Sequence, residues 1–140
     1  MSDEVVCTID LPTSIAALTR TAIPADAYLD SFDVSAALLG QPGAKGREHL
    51  IQQDNGQAGN YGFRVGNWKL QRHDSKITRN LVVEEQLANT PVPQFQLFDL
   101  TKDPAEKNNV IAQNAEVGER LKAQLAHLIA AGRSRPGSAP

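Results

Sequence analysis

The stretch Gly62–Leu70, with the sequence GFRVGNWKL, decides the fold because it is typical of a β-hairpin. Residues that favour strands lie on both sides of a central Gly-Asn pair. Gly66 and Asn67 make a two-residue loop of the Gly-X type, which is the loop that a type II′ turn requires. The stretch therefore predicts two antiparallel strands joined by a tight turn.

The predicted turn also fixes which residues of the two strands face each other. A two-residue loop places Val65 opposite Trp68 and Phe63 opposite Leu70. Because side chains alternate along a strand, these four side chains share one face. Cross-strand pairs of this kind contribute roughly 0.2–1 kcal/mol each, so we expect a compact apolar patch on that face.

The segments around the hairpin predict two more strands and three helices. Helices are expected at residues 11–19, 34–39 and 115–131, and strands at residues 48–53 and 95–100. Asp10 is expected to cap the first helix, and Asp103–Glu106 is expected to start a further helical turn. Residues 73–94 are the least readable, and a strand extension and a short helix both stay open at residues 81–83.

Together these elements predict an α+β fold: about four antiparallel strands packed by a long C-terminal helix, with two short N-terminal helices. Turn-rich stretches divide the chain into three parts. Residues 1–44 are expected to form an N-terminal helical lead-in segment, residues 45–132 an α+β subdomain, and residues 133–140 a flexible tail. A length of 140 residues fits one domain of ordinary size.

Composition argues against several classes of protein. The net charge of −2 does not fit nucleic-acid binding, which needs clustered Lys and Arg. No apolar run approaches the roughly 20 residues of a membrane-spanning helix. The single cysteine, Cys7, cannot form an internal disulfide. The acidic stretch Met1–Glu4 lacks the basic region of a secretory signal, so the chain is expected to stay where it is made.

Residues suited to hydrolysis or metal binding form no recognisable pattern. His49, His73 and His127 are far apart in sequence and lack metal-ligand spacing. A calcium loop starting at Asp54 fails at its twelfth position, where Val65 stands in place of an acidic residue. Phosphate-binding Gly-x-x-x-x-Gly-Lys loops and Gly-x-Ser-x-Gly elbows are absent from the sequence. The sequence therefore predicts no catalytic residue, no metal ligand and no cofactor in this chain.

One cluster of cations stands out. The predicted register places Arg64 and Lys69 side by side on the face opposite the apolar patch, where two like charges repel each other mildly. One interpretation is a solvated face with a carboxylate nearby. The other is a face that meets an anionic surface or substrate, with Arg47, Arg72 and Arg79 adding to the positive field and Tyr61 and Asn60 at its rim.

Four segments of the chain, in this order, resemble those of a known family. Ile9–Leu18 is similar to an Asp-x-x-Pro-Thr helix. Leu29–Gly40 is similar to a Leu-Asp-Gly-x-Ser stretch that ends in Leu-Leu-x-Gly, with Ser31 in place of the glycine. Phe63–Leu70 matches an Arg-x-Gly-x-Trp-Lys-Leu hairpin. Leu97–Asn109 matches Leu-Tyr-Asp-Leu followed by Asp-Pro-x-Glu-x-x-Asn, with Phe98 in place of the tyrosine. The chain thus resembles the closing part of arylsulfatase-type, formylglycine-dependent sulfatases of the alkaline-phosphatase superfamily.

The resemblance implies that the catalytic groups and this chain belong to different domains of such a protein. In that family, sulfate-ester hydrolysis uses a formylglycine made from a Cys/Ser-x-Pro-x-Arg motif, together with calcium, and both belong to the large N-terminal domain. Cys7 is followed by Thr8 and Ile9, so the motif is missing here. The chain is therefore expected to be a fragment like the smaller C-terminal subdomain, without catalysis by itself. The family is often exported or lysosomal, so the compartment stays open.

The resemblance also implies partners and alternatives. A subdomain of this kind is expected to expose an apolar face, formed by residues 11–18 and 34–39, that covers itself by binding a sulfatase catalytic domain or by self-association. A free-standing module that binds anionic or sulfated glycans is one alternative function. A subunit of a split sulfatase, which needs a separately encoded catalytic partner, is another.

Overall fold

A computed structural model describes residues 3–54, 59–74 and 93–135. The described elements, labelled in chain order, are α1 (Leu11–Thr19), α2 (Ser35–Leu38), β1 (His49–Gln53), β2 (Tyr61–Val65), β3 (Trp68–Arg72), β4 (Phe95–Asp99) and α3 (Ala115–Ala131). They confirm the predicted α+β class, with a four-stranded antiparallel sheet, a long C-terminal helix and short N-terminal helices. Arg79 and the alternatives at residues 81–83 lie outside the described residues. No helix of the described ranges is long and apolar enough to cross a membrane.

The sheet has the strand order β1-β2-β3-β4. The register of the hairpin is the predicted one, with Val65 opposite Trp68 and Phe63 opposite Leu70. Gly66 has a positive φ of 56°, whereas Asn67 does not, as a type II′ turn requires. The turn chemistry therefore sets the register of the central strands.

The chain divides into two compact units. Unit 1 comprises residues 1–50 and 126–140, and unit 2 comprises residues 51–125. The boundary predicted after residue 44 stays a prediction.

The core of unit 2 lies on the apolar face of the hairpin. Phe63, Leu70 and Leu97 form one row across β2, β3 and β4, and each is at most 1% exposed. Leu121 and Leu125, one turn apart on α3, are equally buried. Apolar side chains four residues apart share one side of a helix, so α3 contributes a narrow stripe to this core.

The approach of α3 to β4 in unit 2 is also visible at its polar residues. The Lys122 ammonium lies 4.8 Å from the centre of the Phe95 ring, and Phe95 is on the same side of β4 as Leu97. On the preceding turn of α3, Gly118 leaves room for Ile111, because a Cβ at that position would approach the Ile111 side chain to 3.1 Å. The Lys122–Phe95 contact therefore joins α3 to β4, and Gly118 lets the helix approach the loop that precedes it.

The predicted helical turn at Asp103–Glu106 is wrong. The segment forms a turn, and Glu106 has a left-handed backbone with φ 54°. The pattern of a capping residue, a proline and a glutamate is compatible with a helix start and with a non-helical turn. Both can place a proline such as Pro104 directly after an aspartate. Here the backbone follows the long-range contacts of Glu106 described below.

The role predicted for Asp10 is also wrong. It makes no side-chain cap to α1 and belongs to a 3-10 turn, Thr8–Asp10, that precedes the helix. Its carboxylate accepts hydrogen bonds from the backbone of Cys7 and Phe32, both at 2.9 Å, and from Arg47 at 2.8 Å. Asp10 is therefore an internal anchor of unit 1.

Unit 1 has a polar interior and an apolar exterior around α1. The Ser14 hydroxyl accepts a hydrogen bond from the backbone of Val34, and the Thr13 backbone donates to the Ser31 hydroxyl. The apolar stripe of α1 instead faces outward, with Ile15 55% and Leu18 54% exposed. This arrangement is the reverse of an ordinary surface helix, whose apolar stripe faces its own core.

The start of the predicted tail is tied to unit 1. The Ser134 backbone donates to the Asp30 carboxylate at 2.7 Å, and the Arg135 backbone donates to the Leu29 carbonyl at 3.0 Å. The Arg135 guanidinium also donates to the Ala27 carbonyl at 3.0 Å. Residues 136–140 of that tail lie outside the described residues.

Candidate functional site

The predicted pair of cations is present on the polar face of the sheet. Arg64 on β2 lies directly opposite Lys69 on β3. Gly62 and Gln71, two residues further along each strand, lie on the same face because side chains alternate. This face, which we call the polar face, also carries Phe98 of β4, which pairs with Lys69.

A carboxylate neutralises the lysine of this pair. Glu106 accepts from the Lys69 ammonium at 2.7 Å through one oxygen and from the Gln71 amide at 2.7 Å through the other. The side chains of Lys69 and Glu106 are only 22% and 25% exposed, so solvent screens this ion pair less than a fully exposed one. The sequence suggested a nearby carboxylate without identifying Glu106, which its motif had assigned to a helix start.

The second cation of the pair is held differently. The Arg64 Nε donates to the Gly66 carbonyl at 2.9 Å, so the side chain folds back over the hairpin turn. Within the described ranges, Arg64 has no ion pair. Its guanidinium therefore offers more capacity for an anion than the ammonium of Lys69 does.

Two other predicted residues lie on the opposite face of the sheet. Tyr61 and Arg72 pair across β2 and β3, and alternation places them on the side of Phe63 and Leu70. The Arg72 guanidinium lies 6.0 Å from the centre of the Tyr61 ring and forms an ion pair with Asp74. The structure thus divides the predicted cluster between two faces and does not bring all of it together.

The contacts at the end of β3 favour the charged forms of Arg72 and Asp74. Hydrogen bonding from Arg72, and then from the Gln94 amide, holds the pKa of Asp74 below its usual value. The same contact with Asp74 raises the pKa of Arg72. The charge of Arg72 is therefore already compensated within the chain.

The last predicted residue, Asn60, closes a loop before β2. Its amide donates to the Asp54 carboxylate at 3.4 Å, and its carbonyl accepts from the Asp54 backbone at 3.1 Å. The middle of that loop, residues 55–58, lies outside the described residues. The part that is described shows Asn60 in a local polar contact of the loop.

A buried ion pair in unit 1 escaped the sequence analysis. The Arg47 guanidinium donates to Asp10 at 2.8 Å, and both side chains are almost fully buried, at 1% and 0% exposed. Its other nitrogens donate to the carbonyls of His49 and Asp30, and its plane lies 4.6 Å from the Phe32 ring centre. Because this cluster satisfies its own charges and donors, it is suited to holding the fold rather than to binding a ligand.

The described residues contain no group of three or more His, Cys, Asp or Glu residues placed to hold a metal ion. Burial, followed by the positive charge of Arg47, lowers the pKa of His49, so this histidine is neutral at physiological pH. Its ring packs edge-on against Phe32 with centroids 5.6 Å apart. That setting fits a half-buried histidine packed against Phe32.

Comparison with known proteins shows which proteins this chain is similar to. No family model matches the chain. An N-acetylgalactosamine-6-O-sulfatase of Bacteroides thetaiotaomicron is 34% identical over 113 residues, covering 81% of this chain and 21% of the relative. The predicted resemblance to a sulfatase is therefore confirmed over most of this chain, which spans about a fifth of that relative's length.

Solved structures agree with this relationship. A structure labelled BT33336S-sulf, described in connection with the metabolism of multiple glycosaminoglycans by Bacteroides thetaiotaomicron, superposes with a TM-score of 0.70 at 32% identity. The match covers 85% of this chain and 24% of that one. A second structure, described as Ps i-CgsB, shares the fold with a TM-score of 0.61 at 16% identity, over 89% of this chain and 24% of that one. These matches are consistent with a C-terminal subdomain.

Proposed function

We propose that this chain is the C-terminal subdomain of a sulfuric ester hydrolase and that it does not hydrolyse sulfate esters by itself. The supporting observation is the combination of 34% identity to a sulfatase with a match to only 21% of that protein. The sequence also has no Cys/Ser-x-Pro-x-Arg motif from which a formylglycine could be made. The scaffold is thus related to an enzyme, whereas the reacting group and the calcium site are expected outside this chain.

The same relative supports a proposal for the substrate class of the parent activity. The matched protein is named for removal of a 6-O-sulfate from N-acetylgalactosamine. We extend to this chain only the coarse class, a sulfated sugar. A sulfated amino sugar is small and anionic, so a polar face with an available guanidinium is compatible with a place at the border of such a site.

The partner that we propose is the catalytic part of a sulfatase-type polypeptide. The apolar face of unit 1, which we define by Leu11, Ile15 and Leu18 of α1 with Leu38 and Leu39 at the end of α2, has all five side chains more than two-fifths exposed. The chain spans only 21–24% of the sulfatases that it matches, so most of such a protein lies outside it. The catalytic part of such a polypeptide is therefore the partner that we propose for the apolar face.

A groove on unit 1 extends the same surface. It encloses about 400 Å³ beside α1 and is lined mainly by apolar side chains, among them Pro12, Ile15, Ile23, Pro24 and Tyr28. The interior side of α1 is already satisfied by hydrogen bonds to residues 31 and 34. An apolar partner surface is therefore suited to the outward side of the helix.

Activity and association are tested together. The purified chain is expected to release no sulfate from an aryl sulfate above background. The catalytic portion of the Bacteroides sulfatase, expressed without its matching fifth, is expected to bind this chain in analytical ultracentrifugation. Turnover by the chain alone would overturn the proposed lack of catalysis, whereas turnover that appears only on mixing would indicate a split sulfatase.

Variants distinguish specific docking through the apolar face from non-specific association. Ile15→Asp with Leu18→Asp is expected to abolish association, because both charges fall on the apolar face. Thr101→Asp, an exposed change in unit 2, serves as the matched control and is expected to leave association intact. Association of the parent chain only with itself would replace the proposed partner by a second copy.

The alternative function is binding of anionic or sulfated glycans through the polar face. The observation in its favour is the guanidinium of Arg64 on this face, which is outside any ion pair of the described ranges. Titration with sulfated glycan fragments is expected to give weaker binding for Arg64→Ala, with Lys102→Ala as the matched surface control. Absence of binding by the parent chain removes this alternative.

A further inference from the structure

We infer that residues 100–109, the loop after β4, form a strap that Glu106 fastens across the polar face, and that Lys69 is the anchor of this strap rather than a ligand for an anion. We call this segment the strap. The inference rests on contacts within unit 2 and does not depend on the proposed function.

Both ends of the strap are held by β4. At its start, the backbone of Lys102 and Asp103 donates to the Asp99 carbonyl at 3.1 and 2.8 Å. At its end, the Asn109 side chain accepts from the Leu97 backbone at 3.0 Å, and the next residue donates to the Leu97 carbonyl at 2.9 Å. The chain therefore leaves the end of β4 and returns along its outer edge, where it occupies hydrogen-bonding groups that an open edge strand exposes.

The middle of the strap is held by β3, one strand further in. Glu106 reaches Lys69 and Gln71 with one carboxylate oxygen each, at 2.7 Å. Because Lys69 and Gln71 lie on the polar face, these contacts place the Glu106 carboxylate on that face. Phe98 lies on this face opposite Lys69 and is only 3% exposed. The strap is thus placed to cover an aromatic ring on an otherwise polar surface.

The backbone of Glu106 gives a second reason to assign it this role. Its φ of 54° is in the left-handed region, which is unfavourable for a residue with a Cβ and is readily adopted by glycine. Such strain persists where surrounding contacts over-determine the conformation. The two charge-assisted hydrogen bonds of the Glu106 carboxylate supply that compensation.

The unfavourable backbone conformation and the favourable side-chain contacts of Glu106 change the melting temperature in opposite directions, which gives a test. Glu106→Gly removes the unfavourable backbone conformation together with the carboxylate. If the strap is fastened by the side chain, the melting temperature falls by about 3 °C or more despite the relief of strain. Arg20→Gly is the matched control, since Arg20 has φ 55° with an exposed side chain, and it is expected to melt at the same temperature or higher.

Hydrogen exchange locates the effect. In Glu106→Gly, the amides of residues 101–108 are expected to exchange about tenfold faster while those of β3 stay protected. Unchanged exchange in the strap, or a melting temperature at or above that of the parent chain, overturns the inference.

The role of Lys69 is tested separately. Lys69→Met is expected to lower the melting temperature as Glu106→Gly does, and the double variant is expected to add little to either single change. Heparin fragments serve as the anionic probe. The Lys69→Met variant is expected to bind them as strongly or as weakly as the parent chain does. A loss of heparin affinity at an unchanged melting temperature would assign Lys69 to anion binding and refute its role as an anchor.

Discussion

Replacing Asp10 by alanine is expected to be among the most damaging single changes in unit 1. The side chain is fully buried and supports three partners at once: the Arg47 guanidinium and the backbone N–H groups of Cys7 and Phe32. Alanine leaves a buried cation without its counter-ion and removes the acceptor of both backbone donors. All three partners are hydrogen-bond donors, so none of them can take over the role of the Asp10 carboxylate as an acceptor.

The magnitude follows from the buried ion pair. Removing one partner of such a pair costs about 3–5 kcal/mol, since the remaining charge stays buried. Each backbone N–H that loses its acceptor adds about 1–3 kcal/mol unless water enters the space left by the side chain. We therefore expect a loss of at least about 3 kcal/mol from a total stability of roughly 5–15 kcal/mol.

Urea denaturation followed by far-ultraviolet circular dichroism measures this loss. Asp33→Ala is the matched control in the same unit, because Asp33 is exposed and accepts one local hydrogen bond from the Ser35 backbone. It is expected to cost about 1 kcal/mol or less. Asp10→Ala combined with Arg47→Met is expected to cost less than the sum of the single changes, since the double variant leaves no unpaired charge. A cost below about 1 kcal/mol for Asp10→Ala, or strict additivity, refutes the reasoning.

Three further predictions concern the core, the turn and pH. Leu70→Ala is expected to cost about 2–5 kcal/mol in urea denaturation followed by Trp68 fluorescence, because Leu70 is fully buried, and a smaller cost contradicts the assigned core. Gly66→Ala is expected to cost about 1–2 kcal/mol, because its φ of 56° suits glycine; an unchanged urea midpoint contradicts this. Burial lowers the pKa of His49 in the folded chain, so the unfolded chain binds the proton more readily. The contribution of His49 to the free energy of unfolding is therefore complete above about pH 6.5. It decreases as the pH falls from there towards the pKa of His49 in the folded chain. His49→Phe is expected to flatten that slope of urea midpoint against pH, and the exposed His127→Gln is expected to leave it unchanged.

The hairpin could be predicted residue by residue because its information is local. A Gly-Asn pair sets the turn, the length of the turn sets the register, and the register places Phe63 and Leu70 in the core. The sequence analysis grouped Tyr61 and Arg72 with Arg64 and Lys69, although the same register places them on the opposite face from Lys69. That placement needs only the alternation of side chains along the predicted strands.

The errors occurred where contacts distant in sequence outweigh local signals. Asp10 has the position of a helix cap, yet its carboxylate binds partners 22 and 37 residues away. Glu106 has the position of a capping-box residue, yet its carboxylate binds Lys69, 37 residues earlier in the chain. Capping patterns report the nearest backbone, and they carry no information about a counter-ion that only the folded chain brings close.

The contacts of Ser134 and Arg135 with the loop at residues 27–30 have a practical consequence for protein engineering. A gene shortened to end after α3 would lose the contacts of residues 134 and 135 with this loop. An affinity tag or fluorescent fusion placed directly behind Ala131 would compete for the same space. Attachment after residue 135, through a flexible spacer, is therefore the arrangement that leaves these contacts undisturbed.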